Sequence, residues 1–259
     1  MQKYERGNIS MREIIIEREE LLKLFREFVP WSGKYLVRLF HMKDGLQSLG
    51  SGGLLKYKGR YFVITNAHVI KDIENKKEIM IPYTINDSQT YSMTIIDVKY
   101  DLPADIAVFE IRYNDYLAIS NHSFLDSNLI DTDITAYTNN TNILYLHGYP
   151  ASKTIIDEET KEVDMETLPY CTFVAEFDTE INSVYAHIDD EVTTEHNTTI
   201  PTPVVDGMSG SFVYGYYLEE PKFKLIGVLT NWFIQLGKLD IYPIQEFMDY
   251  IDQNYFSNN

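Results

Sequence analysis

The chain has 259 residues, 44% of them hydrophobic and 24% charged, and its 22 basic against 39 acidic side chains leave a formal net charge of −17. A chain of that length buries roughly three quarters of its unfolded surface without a disulfide or metal staple, and the acidic balance argues against a nucleic-acid or membrane partner, since both want clustered Lys and Arg. No apolar run approaches bilayer length, the single cysteine (Cys171) cannot form an internal disulfide, and the polar start MQKYERGNIS lacks a secretory apolar segment, so a cytoplasmic location is expected.

The first 30 residues read as an amphipathic helix. Ser10-Met11-Arg12-Glu13 is a capping box, Ile14, Leu21, Leu24, Phe25 and Phe28 recur on one face, and Pro30 is expected to stop the run. Such a face must lie on the body of the protein or on a regulatory partner.

From Lys34 the texture becomes that of short strands. Candidates are Tyr35–Phe40, Gly53–Tyr57, Arg60–Thr65, Met93–Val98 and Asp105–Ile111, then Ile143–Leu146, Thr172–Phe177, Ser211–Tyr214, Lys224–Leu229 and Lys238–Ile241. Short strands with turn residues and no helices between them predict an all-β sandwich or barrel. A break near residues 115 to 130 divides them into two sets. The acidic stretches Asp157–Glu166 and Asp189–Asn197 are expected to be loops. After Pro243, the residues Ile244, Phe247, Met248 and Ile251 follow at helical spacing.

Three residues in separate contexts carry the chemistry. His68 follows the apolar run that ends at Thr65, where loops at strand ends display functional groups. Ser209 lies in Asp206-Gly207-Met208-Ser209-Gly210-Ser211, a glycine-flanked turn leading into an apolar strand. A serine nucleophile needs small neighbours so that backbone amides, here those of Gly207 and Ser209, can face a developing oxyanion. The α/β-hydrolase elbow G-x-S-x-G is excluded, because position 211 is serine and no βαβ pattern surrounds it. Asp105 heads the apolar run Ile106–Ile111, where an ionised carboxylate is costly to bury without a partner such as an imidazole N–H.

Taken together, the stretches GSGGLLKYKGRYFVITNAHVI, ADIAVFEI, DGMSGSFVYG and FKLIGVLTNW resemble the chymotrypsin-like (trypsin-fold) serine proteases. The likeness is to their cysteine-poor bacterial branch, the HtrA-like and glutamyl-endopeptidase-like peptidases. The resemblance implies two six-stranded antiparallel β-barrels: an N-terminal helical extension over 1–30, a first barrel over 31–120 with His68 and Asp105, a second over 121–242 with Ser209, and a C-terminal helix over 243–259. It implies a catalytic triad of His68, Asp105 and Ser209, and an oxyanion hole of the Gly207 and Ser209 amides. Thr230 matches the position whose hydroxyl supports the aspartate. Leu229, Thr230, Asn231 and Trp232 map to an edge strand that pairs with substrate backbone, and Pro203 and Val204 to the floor of the specificity pocket.

The departures matter as much. Met208 stands where digestive relatives carry the aspartate of their zymogen switch, no acid lies near Pro203 or Val204 to select Lys or Arg, and Leu229 replaces the histidine of the glutamyl branch. Trp232 occupies a place where glycine usually keeps the pocket open. His187, Asp189, Asp190, Glu191 and His196 lack metal-site spacing, so neither metal nor cofactor is expected. The expectation is an intracellular serine endopeptidase with a narrow protein or peptide substrate, in a role such as bacterial stress response or defence against phage. The rival is a catalytically silent trypsin-fold pseudoprotease acting as a binding module.

Overall fold

The computed structural model of the chain describes residues 18–42, 45–85, 89–133, 143–157, 159–160, 162–178, 180, 183–189, 191–193, 199–202, 204–216 and 222–257. The capping box at Ser10–Glu13, Ile14 and Pro203 lie outside them.

The first helix, α1, runs Arg18–Ser32 and lies on the body of the protein. Leu24 and Phe28 are buried, and the Phe28 ring stands 4.9 Å from Tyr145, 5.2 Å from Phe223 and 5.5 Å from Tyr214. Pro30 does not end the helix as expected. It lies inside the helix, where it removes one amide donor without ending the run, and Ser32 Oγ closes the last turn by donating to the Phe28 carbonyl at 2.8 Å.

The strands form two curled sheets. The first holds β1 (Leu36–Met42), β2 (Leu46–Tyr57), β3 (Arg60–Thr65), β4 (Ile79–Met80), β7 (Ile95–Asp101) and β8 (Ile106–Ile111) in the order β4-β1-β2-β3-β8-β7, with β9 (Leu125–Asp126) parallel to β2. Between them β5 (Pro82–Ile85) and β6 (Gln89–Ser92) pair with each other as a two-stranded ribbon. Six strands curl as expected, yet the path stays open: among the described residues its end strands β4 and β7 do not pair with each other. Asn66 joins Thr65 to a single helical turn, α2 (Ala67–Ile70), which holds His68; a second short turn, α3, is Asp115–Ala118.

The second sheet is a closed antiparallel barrel. Its strands are β10 (Ile143–Gly148), β13 (Leu168–Asp178), β14 (Ser183–His187), β17 (Phe212–Tyr216), β18 (Phe223–Phe233) and β19 (Lys238–Pro243), in the order β10-β13-β14-β19-β18-β17 and back to β10. The acidic stretch after Ile156 is not a plain loop as expected. It joins β11 (Thr154–Ile156) to β12 (Val163–Met165) as an antiparallel hairpin, whose short strands carry little apolar periodicity because their residues are at most half-buried. Glu191–Thr193 (β15) and Thr199–Pro201 (β16) likewise pair.

Each sheet encloses its own apolar core, and a third cluster joins them. There Phe62 and Val108 of the first sheet meet Tyr145 and Phe212 of the second, with Phe28 of α1 and Phe247 of α4 (Ile244–Ile251). The four residues read at helical spacing, Ile244, Phe247, Met248 and Ile251, are all buried on that junction. Among the described residues no helix is long and apolar enough to cross a membrane.

Candidate active site

Asp105 grips His68 twice. One carboxylate oxygen accepts the His68 backbone N–H at 2.8 Å and the other faces the ring Nδ1 at 2.8 Å. The grip is set locally on both sides. Asn66 ends the extended run of β3 and its side-chain amide donates to the Asp105 carbonyl at 3.3 Å, as the Ala67 N–H does at 3.2 Å. Asp105 itself has φ +54°, a left-handed conformation that aspartate tolerates better than most residues. The turn ahead of it is tied by the Asp105 N–H to the Leu102 carbonyl and by the Asp101 carboxylate accepting from the Ala104 N–H. With Nδ1 donating to a carboxylate, the lone pair of the half-exposed imidazole lies on Nε2.

Ser209 sits on the opposite half. Its loop is wound by Met208 N–H to Val205 carbonyl and Ser211 N–H to Met208 carbonyl, each 2.9 Å, and sewn to β18 by Gly210 N–H to Leu229 carbonyl and Leu229 N–H to Ser211 carbonyl. Met208 is buried in the second core, with no charge to capture. Gly210 has φ +90°, and a Cβ there would stand 2.1 Å from the Ser51 carbonyl oxygen and 2.2 Å from Thr65 Oγ1. Only glycine lets this loop lie flat on β2 and β3. The Ser51 N–H in turn donates to the Ser209 carbonyl at 3.0 Å.

The two halves therefore meet at Gly50 and Ser51. A Cβ on Gly50 would be 2.7 Å from Val69, the neighbour of His68, and 3.3 Å from the Ser209 carbonyl oxygen. The Ser209 hydroxyl donates to the Thr230 carbonyl at 3.0 Å rather than to the His68 ring. Neither the Gly207 nor the Ser209 amide has a hydrogen-bond partner among the described residues.

The expected substrate residues divide. β17 leaves β18 after Phe212 pairs with Val228, while β19 follows β18 through Phe233. Beyond Leu229, then, the edge of β18 toward Ser209 carries no strand among the described residues. Leu229 is not part of that open edge: its side chain is buried in the second core and both its backbone groups are used by the Ser209 loop. The Thr230 hydroxyl donates to the Asp240 carbonyl at 3.1 Å, not to Asp105; Thr230 is the extra residue of a bulge between Leu229 and Asn231, which turns its side chain toward β19. Asn231 and Val204 are exposed, and the Trp232 ring packs partly buried on the core that Val205 and Met208 enter.

Three participants escaped the sequence reading. Ser51 and Arg38 hold the Ser209 loop from the first sheet and Thr65 donates to the Ser51 carbonyl beneath Gly210; of these only Arg38, a charge inside the apolar run of β1, left a visible sign.

No family model matches the chain, and no curated protein does. Among solved structures it is similar to a serine endoprotease from Yersinia pestis, with a TM-score of 0.56 and 16% identity. The fold is trypsin-like. The match covers 88% of this chain and 65% of that one, so this chain spans less than two thirds of that protein's length.

Proposed function

We propose that this trypsin-fold chain is a serine endopeptidase that works through an acyl-enzyme. The observation that carries the reading is the double hold of Asp105 on His68, which fixes the ring with its basic Nε2 free, next to a half of the molecule that presents Ser209 on a glycine-locked turn. The name of the Yersinia pestis neighbour points the same way.

In this reading the Ser209 hydroxyl leaves Thr230, gives its proton to His68 Nε2 and attacks the substrate carbonyl. The imidazolium then protonates the leaving amine, while Asp105 stabilises its charge and keeps the tautomer. The unpartnered amides of Gly207 and Ser209 receive the oxyanion; losing one such donor costs about 10²–10³ in rate. Water, activated by the same imidazole, releases the acid. The open edge at Thr230–Trp232 pairs with the substrate backbone, and the Trp232 ring narrows the pocket toward small side chains.

Labelling with a fluorophosphonate probe tests this, with the modified peptide located by mass spectrometry. Labelling at Ser209 that disappears in His68→Ala is the expected result. The hydroxyl turned to Thr230 favours one other reading, a silent binding module, and a folded protein that resists the probe would narrow the choice to that reading or an enzyme activated by a partner.

A further inference from the structure

Arg38 lies in the apolar run of β1 between Val37 and Leu39, both buried, and is itself only 2% exposed. No carboxylate lies within ion-pair distance of its guanidinium among the described residues. Burial without such a partner is costly, and desolvation pulls the Arg38 pKa down to about 10. What the side chain gains is a set of neutral acceptors. Nη1 donates to the carbonyls of Tyr149 and Gly207, the latter at 2.8 Å, and Nε donates to Ser48 Oγ at 2.6 Å.

Those carbonyls belong to the Ser209 loop and its support. Ser51, the register partner of Arg38 across the β1–β2 ladder, donates its Oγ to the same Gly207 carbonyl at 3.1 Å and accepts the Tyr149 N–H at 3.0 Å. Two residues beyond Tyr149, the Ala151 N–H donates to the Asp206 carbonyl. A trans peptide points its C=O and N–H in opposite directions. The Asp206 carbonyl pinned to Ala151 therefore turns the Gly207 N–H the other way. The Gly207 carbonyl pinned to Arg38 and Ser51 turns the Met208 N–H back to Val205. Both peptides that flank Gly207 are held, at a residue whose φ of +87° would otherwise leave them free to rotate.

We infer that Arg38 is a positioning residue, which acts from the first half of the molecule on both sides of Gly207: it holds the Gly207 carbonyl and, through the Tyr149 carbonyl, the segment whose Ala151 N–H pins the Asp206 carbonyl, so that the Gly207 amide faces the reacting carbonyl. The inference rests on the proposed triad. It assigns to Arg38 a loop-ordering role that Met208, being apolar, does not supply.

The test compares rates of fluorophosphonate labelling at Ser209 in the wild type and in Arg38→Met, with thermal unfolding as a check on the fold and guanidinium chloride at low millimolar, non-denaturing concentration as a rescuing ion. A folded Arg38→Met should label about ten- to a hundredfold more slowly and recover in guanidinium but not in tetramethylammonium. Should Arg38→Met fail to fold, Ser51→Ala decides, because it removes the other donor on the Gly207 carbonyl and should slow labelling severalfold. Labelling at the wild-type rate by the folded variant, or a slow rate that guanidinium leaves untouched, overturns the inference alone. A wild type that never labels overturns the triad reading and this inference with it.

Discussion

Ser209 rests its hydroxyl on the Thr230 carbonyl, 3.0 Å away, at the point where β18 loses one of its two neighbours. The proposed nucleophile and the strand edge proposed to take substrate are therefore one hydrogen-bonded unit before any substrate arrives. On the proposed reading, a peptide laid along that edge would draw on the backbone groups around Thr230 and free the hydroxyl to turn to His68.

The Asp105 hold on His68 can be broken without disturbing the backbone. Asparagine tolerates a φ of +54° as well as aspartate does, but it offers one acceptor oxygen where two are used. Asp105→Asn should lower turnover by about 10⁴-fold and shift the unfolding midpoint little. Labelling kinetics beside a thermal melt check both halves of that expectation.

Gly210 has no such latitude. A methyl group there meets the Ser51 carbonyl oxygen and Thr65 Oγ1, and a side chain at φ +90° adds strain of about 1–3 kcal/mol. Gly210→Ala should push the Ser209 loop off the first sheet, lower the denaturant midpoint and abolish labelling. A variant that folds and reacts as the wild type does would show that the contact can relax.

On the proposed reading, Trp232 bears on selectivity. Its ring packs on the second core beside the open edge of β18, so the wild type should cleave after small side chains. Trp232→Gly should admit leucine or phenylalanine at that position, read from the cut sites in a peptide library. An unchanged profile would place the selectivity elsewhere.

His147 makes stability depend on pH. Ser32 Oγ commits its proton to the Phe28 carbonyl, so the ring Nδ1, 2.7 Å away, is the donor to Ser32, and the buried Nε2 has no partner among the described residues. Burial lowers the His147 pKa to about 4, below the value near 6.5 of an unfolded chain. The neutral ring's contribution is full above about pH 6.5 and is lost as pH falls toward 4, on the order of 3 kcal/mol. Urea unfolding across that window should show the loss, and His147→Gln should flatten it.

Much of this was legible in the chain. His68, Asp105 and Ser209 each carry a local signature, because a strand end, a carboxylate heading an apolar strand and a glycine-flanked turn are written in adjacent residues. The α4 stripe was equally plain, since its period needs no distant partner. What stayed hidden depends on contacts across the fold. The direction of the Thr230 hydroxyl is set by a bulge against β19, the openness of the first sheet by which end strands meet in space, and the worth of Arg38 by carbonyls more than a hundred residues away. The hairpin of β11 and β12 was missed because a half-buried ribbon shows no strong alternation of apolar and polar residues.

The seam between Ser51 and Ser209 also bears on when the protein can act. On the proposed reading, the half that carries His68 is made first and lacks the nucleophile, and the half that carries Ser209 lacks the strands on which Gly210 lies. Neither half alone should then cleave a peptide bond, and reactivity should await the docking of one on the other.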